Sequence, residues 1–456
     1  MSLYVQIEGL YSSEGIMPIS NYLSYIHDQY GVMWSKIPTF FWISTSDWML
    51  KLIGLLGIAT SLLMILGIGP LVTALISFLA YLSFVSVGDV FMSFQWDILL
   101  LETGFLTLFL VPVQWRWRYS DPYGPPVWVI WAFRCLLFRL MFTSGLVKLV
   151  SGDMVWREFR ALDMHYYTQP LPHFLSWLAH QWPGWVDKIA VLIMFVIELI
   201  VPMGIWMKTR IRHYSGVIIV IFMVMIALTG NYCFFNILTC CLCLFCIDIN
   251  KVPWLKKIGQ DKRISDEPNR NVAIAKSIIA ILIISIGIHL ELSRFLAIDL
   301  PARQAIRSTV SPFRIINTYG LFATMTTQRE EIEVWGSLDG EKWLPYEFRW
   351  KPNDEKDIPK WVWPHQPRLD WQLWFVALRP YRKNSWIHRL AETLFEQSEP
   401  VENLFSSVPF PDAGPNYIVF MKRHYRFSTW KDIKQGQWWI TGEPEQFSPI
   451  FKRPIP

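Results

Sequence analysis

Charged residues are scarce in this sequence. They make up 17% of its 456 residues, against about 25% in an ordinary soluble domain. This deficit excludes a wholly soluble protein. The formal net charge of +5 is small, and the Lys and Arg residues lack the clustered basic and aromatic pattern that nucleic-acid binding requires. We therefore expect contact with membrane lipid and no nucleic-acid partner.

Cysteine is rare too, and it is confined to apolar segments. Two C-x-x-C spacings in CCLCLFC (residues 240–246) are typical of redox or metal sites. No His or charged residue flanks them, so we interpret these cysteines as small apolar side chains that fill a helix interface. The more polar regions have no cysteine, which excludes disulfides there. The six cysteines are Cys135, Cys233, Cys240, Cys241, Cys243 and Cys246.

Catalytic motifs are missing as well. The chain has no G-x-S-x-G, G-x-G-x-x-G, Walker or H-E-x-x-H pattern, the usual marks of hydrolases, nucleotide-binding proteins and zinc proteases. His165, His173 and His180 are eight and seven residues apart, which matches no compact zinc pattern. We therefore predict no metal and no cofactor, and we assign no catalytic residue from motifs.

The sequence instead has long apolar runs, which approach the roughly 20 residues that a helix needs to cross a bilayer. We predict a polytopic helical bundle of about eight spans, followed by a soluble β-rich domain. The predicted spans are residues 49–67, 71–87, 98–113, 127–150, 189–206, 217–228, 232–249 and 272–290.

The charges of the loops predict an orientation. Lys and Arg concentrate in alternate loops, which the positive-inside rule places in the cytoplasm. We expect an N-terminal lead-in (1–47), a long loop (151–188) within the transmembrane domain (48–300), and a C-terminal domain (301–456). The lead-in, the loop and the C-terminal domain should share the exported side. The basic residues are Arg116, Arg118, Lys208, Arg210, Arg212, Lys251, Lys256, Lys257, Lys262, Arg263 and Arg270.

From about Pro301 the composition becomes mixed and rich in tryptophan. Residues 331–337 and 342–350 alternate apolar and polar side chains around Asp339-Gly340, which predicts a β-hairpin. Residues 417–427 predict a late strand and 386–405 a helix, whereas 361–378 fit either a strand or a helix. We expect a sandwich-like β domain with some helix.

Several ionisable residues lie inside predicted spans. Glu102, in FQWDILLLETGFL (residues 94–106), is about 7 Å deeper than Asp97 at 1.5 Å per residue, too deep for the helix capping that accounts for Asp97. Intramembrane charges usually pair inside the bundle. We predict that Lys148 pairs with Glu102 or Asp97. We also predict an Arg139–Glu198 pair, and Gln95 on the face of Glu102.

Candidate binding residues lie in two regions. In the loop they are His165, Tyr166, Gln169 and His173. In the C-terminal domain a tryptophan-rich segment is either core or a surface for an apolar client, and its candidates are Trp361, Trp363, His365, Arg368, Asp370 and Trp371.

Long segments resemble the lipase maturation factor family: FQWDILLLETGFL, FRLMFTSGLVKLVSGDMVW, HYYTQPLPHFLSW, YGLFATMTTQREEIEVWGSLDGEKW and PHQPRLDWQLWF. The resemblance implies a multi-span membrane protein whose exported C-terminal domain serves the maturation of secreted lipases. In animal members this occurs in the endoplasmic reticulum membrane. The exported part has no Asn-x-Ser/Thr acceptor and FKRPIP is no retention signal, which favours a bacterial member in an inner membrane.

A shorter segment, SGLVKLVSGDMVW, resembles the membrane part of the vitamin K-dependent γ-carboxylase superfamily. That resemblance implies an alternative, a membrane-embedded enzyme with Lys148 as its base, Glu102 and Asp97 nearby, and a lipid or quinone cofactor. A maturation or folding factor accounts better for the exported aromatic domain. Such a factor need not be an enzyme itself, and its client would be a secreted protein.

Overall fold

The computed structural model describes residues 1–112, 115, 125–248, 270–296 and 302–454. Among these residues, six helices are long and apolar enough to cross a membrane. Two further predicted spans form shorter helices, so the number of crossings is approximate. Arg116, Arg118 and the basic residues from Lys251 to Arg263 lie outside the described part.

The helices before the C-terminal domain are numbered in chain order. They are α1 Ile7–Tyr11, α2 Ile19–Tyr30, α3 Asp47–Ile65, α4 Pro70–Val87, α5 Gln95–Leu110, α6 Val127–Val150, α7 Met154–Arg157, α8 Ala161–Thr168, α9 Phe174–His180, α10 Gly184–Phe195, α11 Thr209–Thr229, α12 Phe235–Cys243 and α13 Arg270–Phe295. Single 3-10 turns lie between several of them.

Local sequence explains the two main irregularities of the bundle. Gly69 takes φ +50° between α3 and α4, and Pro70 begins α4 at a position where a missing N–H costs nothing. After α10 the same helical span continues as a π-helical turn, Val196–Ile200, and a 3-10 turn, Val201–Trp206. Pro202 cannot donate a hydrogen bond to the preceding turn, which accounts for the change of helix type there.

The C-terminal domain contains one antiparallel sheet in the order β3-β2-β1-β4-β5, with β6 and β7 also paired to β4. The predicted hairpin and late strand are confirmed as β1, β2 and β4. Asp339 Oδ1 accepts from the backbone of Glu341 and Lys342 in the hairpin turn. The strands are β1 Arg329–Ser337, β2 Trp343–Phe348, β3 Phe405–Ser407, β4 Tyr417–Phe427, β5 Trp439–Thr441, β6 Glu445–Gln446 and β7 Phe451–Lys452.

The C-terminal domain also has helices, which are α14 Arg303–Val310, α15 Arg368–Ala377, α16 Trp386–Phe395, α17 Glu399–Glu402 and α18 Trp430–Ile433. Of these, α15 contacts β1 and α16 packs with β1 in one apolar cluster, where a sandwich would place a second sheet. The ambiguous segment 361–378 is therefore helical from Arg368. The helix predicted over 386–405 ends at Phe395 because Gln397 takes φ +54°, and α17 then begins at Glu399 with Pro400 in its first turn.

The core is shared between regions that lie far apart in the sequence. One cluster of buried apolar side chains joins Ile7 and Leu10 of α1 to Leu390 of α16 and Val334 of β1. The same cluster continues into the bundle through Leu50. The N-terminal residues are thus packed between the bundle and the C-terminal domain.

Candidate functional site

The N-terminus, the long loop and the C-terminal domain meet at one end of the bundle. Gln6 Nε2 donates to the Gln366 carbonyl at 2.8 Å. In the loop, Trp177 Nε1 donates to the Ser428 carbonyl at 3.0 Å. The three segments predicted to share one side therefore lie together, and buried polar residues occupy their junction.

Asp97 and Arg368 form a buried ion pair at this junction. The Arg368 guanidinium donates to the two Asp97 oxygens at 2.9 and 3.0 Å, and Tyr81 donates its hydroxyl to the same carboxylate. Burial lowers the pKa of Arg368, but the Asp97 carboxylate together with the Tyr81 and Tyr11 side chains outweighs burial, so that pKa is raised. Asp97 therefore helps to attach the C-terminal domain to the bundle. The predicted pairing of Asp97 with Lys148 is wrong.

Glu102 also pairs differently from the prediction. Its carboxylate accepts from Arg139 at 2.9 Å and from the hydroxyl of Tyr319 at 2.8 Å. The backbone N–H of Asn317 donates to it at 2.8 Å, and Arg139 donates to the Asn317 carbonyl. The chain after α14 therefore returns to the bundle, where Gln95 also accepts from the Gly320 N–H at 3.1 Å.

Lys148 pairs with Glu198, not with Glu102. Its ammonium lies 2.8 and 2.6 Å from the two Glu198 oxygens. Arg139 and Lys148 are nine residues apart, which at 3.6 residues per turn places them on opposite faces of α6. The face of α6, and not the depth in the membrane, therefore selects the partners. The predicted Lys148–Glu102 and Arg139–Glu198 pairs are wrong, because each cation contacts the acid that was assigned to the other.

The surroundings of Lys148 suit a structural cation better than a base. A lysine ammonium has three N–H donors, and Lys148 has three acceptors, the two Glu198 oxygens and the Ser144 carbonyl at 3.1 Å. The ammonium also lies 5.4 Å from the centroid of the Trp156 ring. A base needs a free lone pair, whereas every N–H of this ammonium has an acceptor.

The loop candidates form a hydrogen-bonded cluster with the end of α11. The Tyr232 hydroxyl lies 2.7 Å from His165 Nε2 and 3.0 Å from the Gln169 oxygen. Gln169 Nε2 in turn donates to the Ser176 hydroxyl and to the Thr229 carbonyl. Burial, with a contribution from the Lys148 charge, lowers the pKa of His165 to about 4, so this imidazole is neutral at neutral pH.

His173 and Tyr166 hold the loop in place. His173 Nδ1 caps α9 by accepting from the Leu175 N–H, and burial lowers its pKa to about 4. Tyr166 is buried against Trp177 and Tyr425 in one apolar cluster, and burial raises its pKa. Both residues are part of the loop's own structure.

The six candidates for a client surface separate into two groups. Trp361 is 40% exposed, and Trp363 and His365 are half-buried. Arg368, Asp370 and Trp371 are at most 3% exposed, so these three cannot form a binding surface. Asp370 accepts from the backbone of Trp350 and Lys351, and burial raises its pKa to about 6.

A buried charge cluster that the sequence pattern does not reveal attaches the sheet to the loop. Arg329 donates to the Gln169 and Pro170 carbonyls and pairs with Glu331, which Lys351 contacts at 3.0 Å. In β1 these charges alternate with apolar residues, a pattern that predicts a solvent-facing side. The pattern gives no sign that the loop covers that side.

The described residues contain no group of three or more His, Cys, Asp or Glu side chains that could hold a metal ion.

Two family models and several known proteins match this chain. The family model for the lipase maturation factor transmembrane domain matches residues 1–254, and that for the C-terminal domain matches residues 315–449. Lipase maturation factor 1 of Bos taurus is 32% identical over 98% of this chain and 85% of its own length. Lipase maturation factor 2 of Homo sapiens is 30% identical over 98% and 80%. No solved structure matches significantly. With both domain models and nearly the whole chain matched, this integral membrane protein belongs to the lipase maturation factor family.

Proposed function

We propose that this protein is a membrane-anchored maturation factor that helps a secreted lipase reach its active assembled state. The observation that carries the proposal is the family match over nearly the whole chain, to relatives named lipase maturation factors. The proposal places the client at the end of the bundle where the loop and the C-terminal domain meet. It assigns no bond-making step to the protein.

Exposed apolar side chains at this end support a client surface. Phe174 and Leu178, one helical turn apart on α9, are 42% and 40% exposed. The Phe174 ring lies 6.3 Å from that of Trp361, and the Phe174 N–H donates to the Pro359 carbonyl. We call Phe174, Leu178 and Trp361 the aromatic patch. It joins the loop to the C-terminal domain, so a client bound there would contact both.

The test measures secreted lipase in cells that lack their own maturation factor. A homodimeric lipase is co-expressed with the full-length protein, and its activity per secreted mass is recorded. We expect the wild-type chain to restore activity and a Phe174→Ser, Trp361→Ser variant to lose most of it. Leu338→Ser is the matched control, since Leu338 is 50% exposed. It follows the last residue of β1, whereas the first residue, Arg329, contacts the loop.

Two outcomes have different meanings. If the wild-type chain, present in the membrane, raises no lipase activity, the proposed function is wrong. If the patch variant matches wild type while the wild type works, only the patch is wrong. Deleting residues 301–456 would be a poor test, because Glu102 and Arg139 would lose Asn317 and Tyr319 as partners.

We also propose that the patch faces the exported side, the lumen of the endoplasmic reticulum in a eukaryotic cell or the outer side of the inner membrane in a bacterium. Lys208, Arg210 and Arg212 support this orientation. They lie at the first end of α11, whereas Thr229 at its other end accepts from Ser176 of the loop. The 21 residues of α11 correspond to about 32 Å, the thickness of a membrane core.

A further inference from the structure

A cavity of about 560 Å³ lies within the first part of the bundle. The walls come from α3, α4, α5 and the N-terminal residues, and Gln366 and Arg368 of the C-terminal domain close one end. Apolar side chains form most of the lining, among them Ile53, Phe78 and Leu101. The volume is within the ~300–1,000 Å³ range of small-molecule sites.

The length of the cavity is close to the reach of one acyl chain. Its lining on α3 extends from Ile53 to Met64, about 17 Å at 1.5 Å per residue. Half of a bilayer's hydrocarbon core is about 15 Å. Leu62, also in the lining, is 51% exposed near the end of α3 that lies away from the C-terminal domain. The cavity therefore borders the region that acyl chains occupy.

The closed end of the cavity has hydrogen-bond donors without acceptors. Trp96 Nε1, which can only donate, binds the Gln366 oxygen at 2.8 Å, and this contact fixes the orientation of the amide. Gln366 is 1% exposed, yet its Nε2 has no partner among the residues that the structure describes. Arg368 Nε is likewise buried and unpartnered. Buried donors normally find an acceptor, so both point to an acceptor outside this chain.

We propose that the cavity binds one acyl chain of a glycerophospholipid from the leaflet on the C-terminal-domain side. The ester carbonyl of that chain accepts from Gln366 and Arg368, and its methylenes fill the apolar part between α3 and α5. Asp97 already neutralises Arg368, so the site suits an uncharged ester carbonyl better than a free carboxylate. The second acyl chain stays in the bilayer.

Glycines set the width of the cavity and offer a means of filling it. A Cβ atom at Gly57 would meet Ala80 Cβ at 3.5 Å, an ordinary contact. One at Gly104 would lie 3.7 Å from the Phe78 ring. Both positions line the cavity, so leucine at either one takes space from a ligand without an enforced backbone clash. Ala59 is exposed on α3, and Ala59→Leu is the control.

The experiment uses the full-length protein in phosphatidylcholine vesicles that contain phosphatidylcholine with a photoactivatable diazirine in one acyl chain. Labelled peptides are located by mass spectrometry after irradiation. We expect label on the cavity walls of α3, α4 and α5. Gly57→Leu and Gly104→Leu should each reduce it about tenfold, equivalent to ~1.4 kcal/mol of binding, whereas Ala59→Leu should not.

A second arm tests the donors and the source of the chain. Gln366→Glu keeps an acceptor for Trp96 and removes the amide donor, so we expect weaker labelling. The melting temperature should also fall, because a buried carboxylate is costly, so labelling is compared at a temperature at which both proteins are folded. A diazirine fatty acid in the same vesicles should label less than the phospholipid. The proposal is overturned if the fatty acid labels the cavity better, if label stays on outer helix faces, or if both cavity-filling variants fold and label like wild type.

Discussion

Asp97 and Arg368, 271 positions apart in the chain, meet in a two-point ion pair of 2.9 and 3.0 Å. Asp97 lies in the first turn of α5 and Arg368 begins α15, so the pair connects the bundle directly to the C-terminal domain. Both side chains are at most 3% exposed. A buried pair of this kind is costly to break, because the remaining partner keeps its charge without compensation.

The first prediction concerns this pair. Asp97→Ala and Arg368→Ala should each destabilise the protein by ~3–5 kcal/mol, whereas the double substitution should cost less than the sum. A double-mutant cycle by thermal or denaturant unfolding in detergent measures the coupling. Strictly additive single costs would show that the two residues do not act as a pair.

The second prediction concerns the partner of Lys148. Exchanging the charges in Lys148→Glu, Glu198→Lys should recover part of the stability lost in either single variant, because the pair is re-formed in reverse. Lys148→Glu combined with Glu102→Lys should recover no stability. Glu102 contacts the face of α6 that carries Arg139, and Lys148 is on the opposite face. Melting temperatures of the three single and two double variants decide between the two pairings.

The role of Lys148 is tested by a third prediction. Lys148→Arg keeps the positive charge opposite Glu198, so lipase maturation should persist at a reduced level that follows protein stability. A guanidinium cannot act as a base near neutral pH. Complete inactivity of a Lys148→Arg protein that melts like wild type would therefore support the carboxylase-like alternative.

The fourth prediction concerns pH. The pKa of His165 is about 4 in the folded protein and 6.5 ordinarily, so between these values the unfolded chain binds more protons. Its stabilising contribution is complete above about pH 6.5 and is lost as the pH falls towards 4, with a slope of up to ~1.4 kcal/mol per pH unit. The pKa of Asp370 is raised from 3.8 to about 6. The contribution of Asp370 to stability therefore increases as the pH falls from about 6 towards 4, opposite to that of His165.

His165→Gln isolates the histidine, because glutamine can still hydrogen-bond the Tyr232 hydroxyl. The variant should lose less stability than wild type between pH 6.5 and 4.5, with Asp370 common to both proteins. Unfolding curves at several pH values give the difference. Identical pH dependence in the two proteins would contradict the assignment.

The fifth prediction concerns topology. Glu158→Cys in the loop and Ser385→Cys in the C-terminal domain are both at exposed positions and should react with a membrane-impermeant thiol reagent added from the exported side. Arg210→Cys, also exposed, should react only after permeabilisation. Labelling of Arg210→Cys and Ser385→Cys from the same side would refute the orientation.

Local pattern in the sequence determined the elements. Apolar runs of helical length predicted the long spans, and Asp339-Gly340 between alternating segments predicted the β1–β2 hairpin, because length, period and turn residues are local properties. The sequence also predicts the presence of ionisable groups inside the bundle, Glu102 and Lys148 among them, since a charged residue is easily recognised in an apolar run.

Tertiary structure alone decided which of these groups meet. Depth along a helix can be counted from the sequence, but the side of α6 that faces each neighbour depends on how the helices are arranged. Arg368 and Trp371, expected at a client surface, are buried because the N-terminus and α5 cover them. The sequence thus determined what each segment is, and the packing of segments hundreds of residues apart decided which charges are paired and which aromatic residues stay exposed.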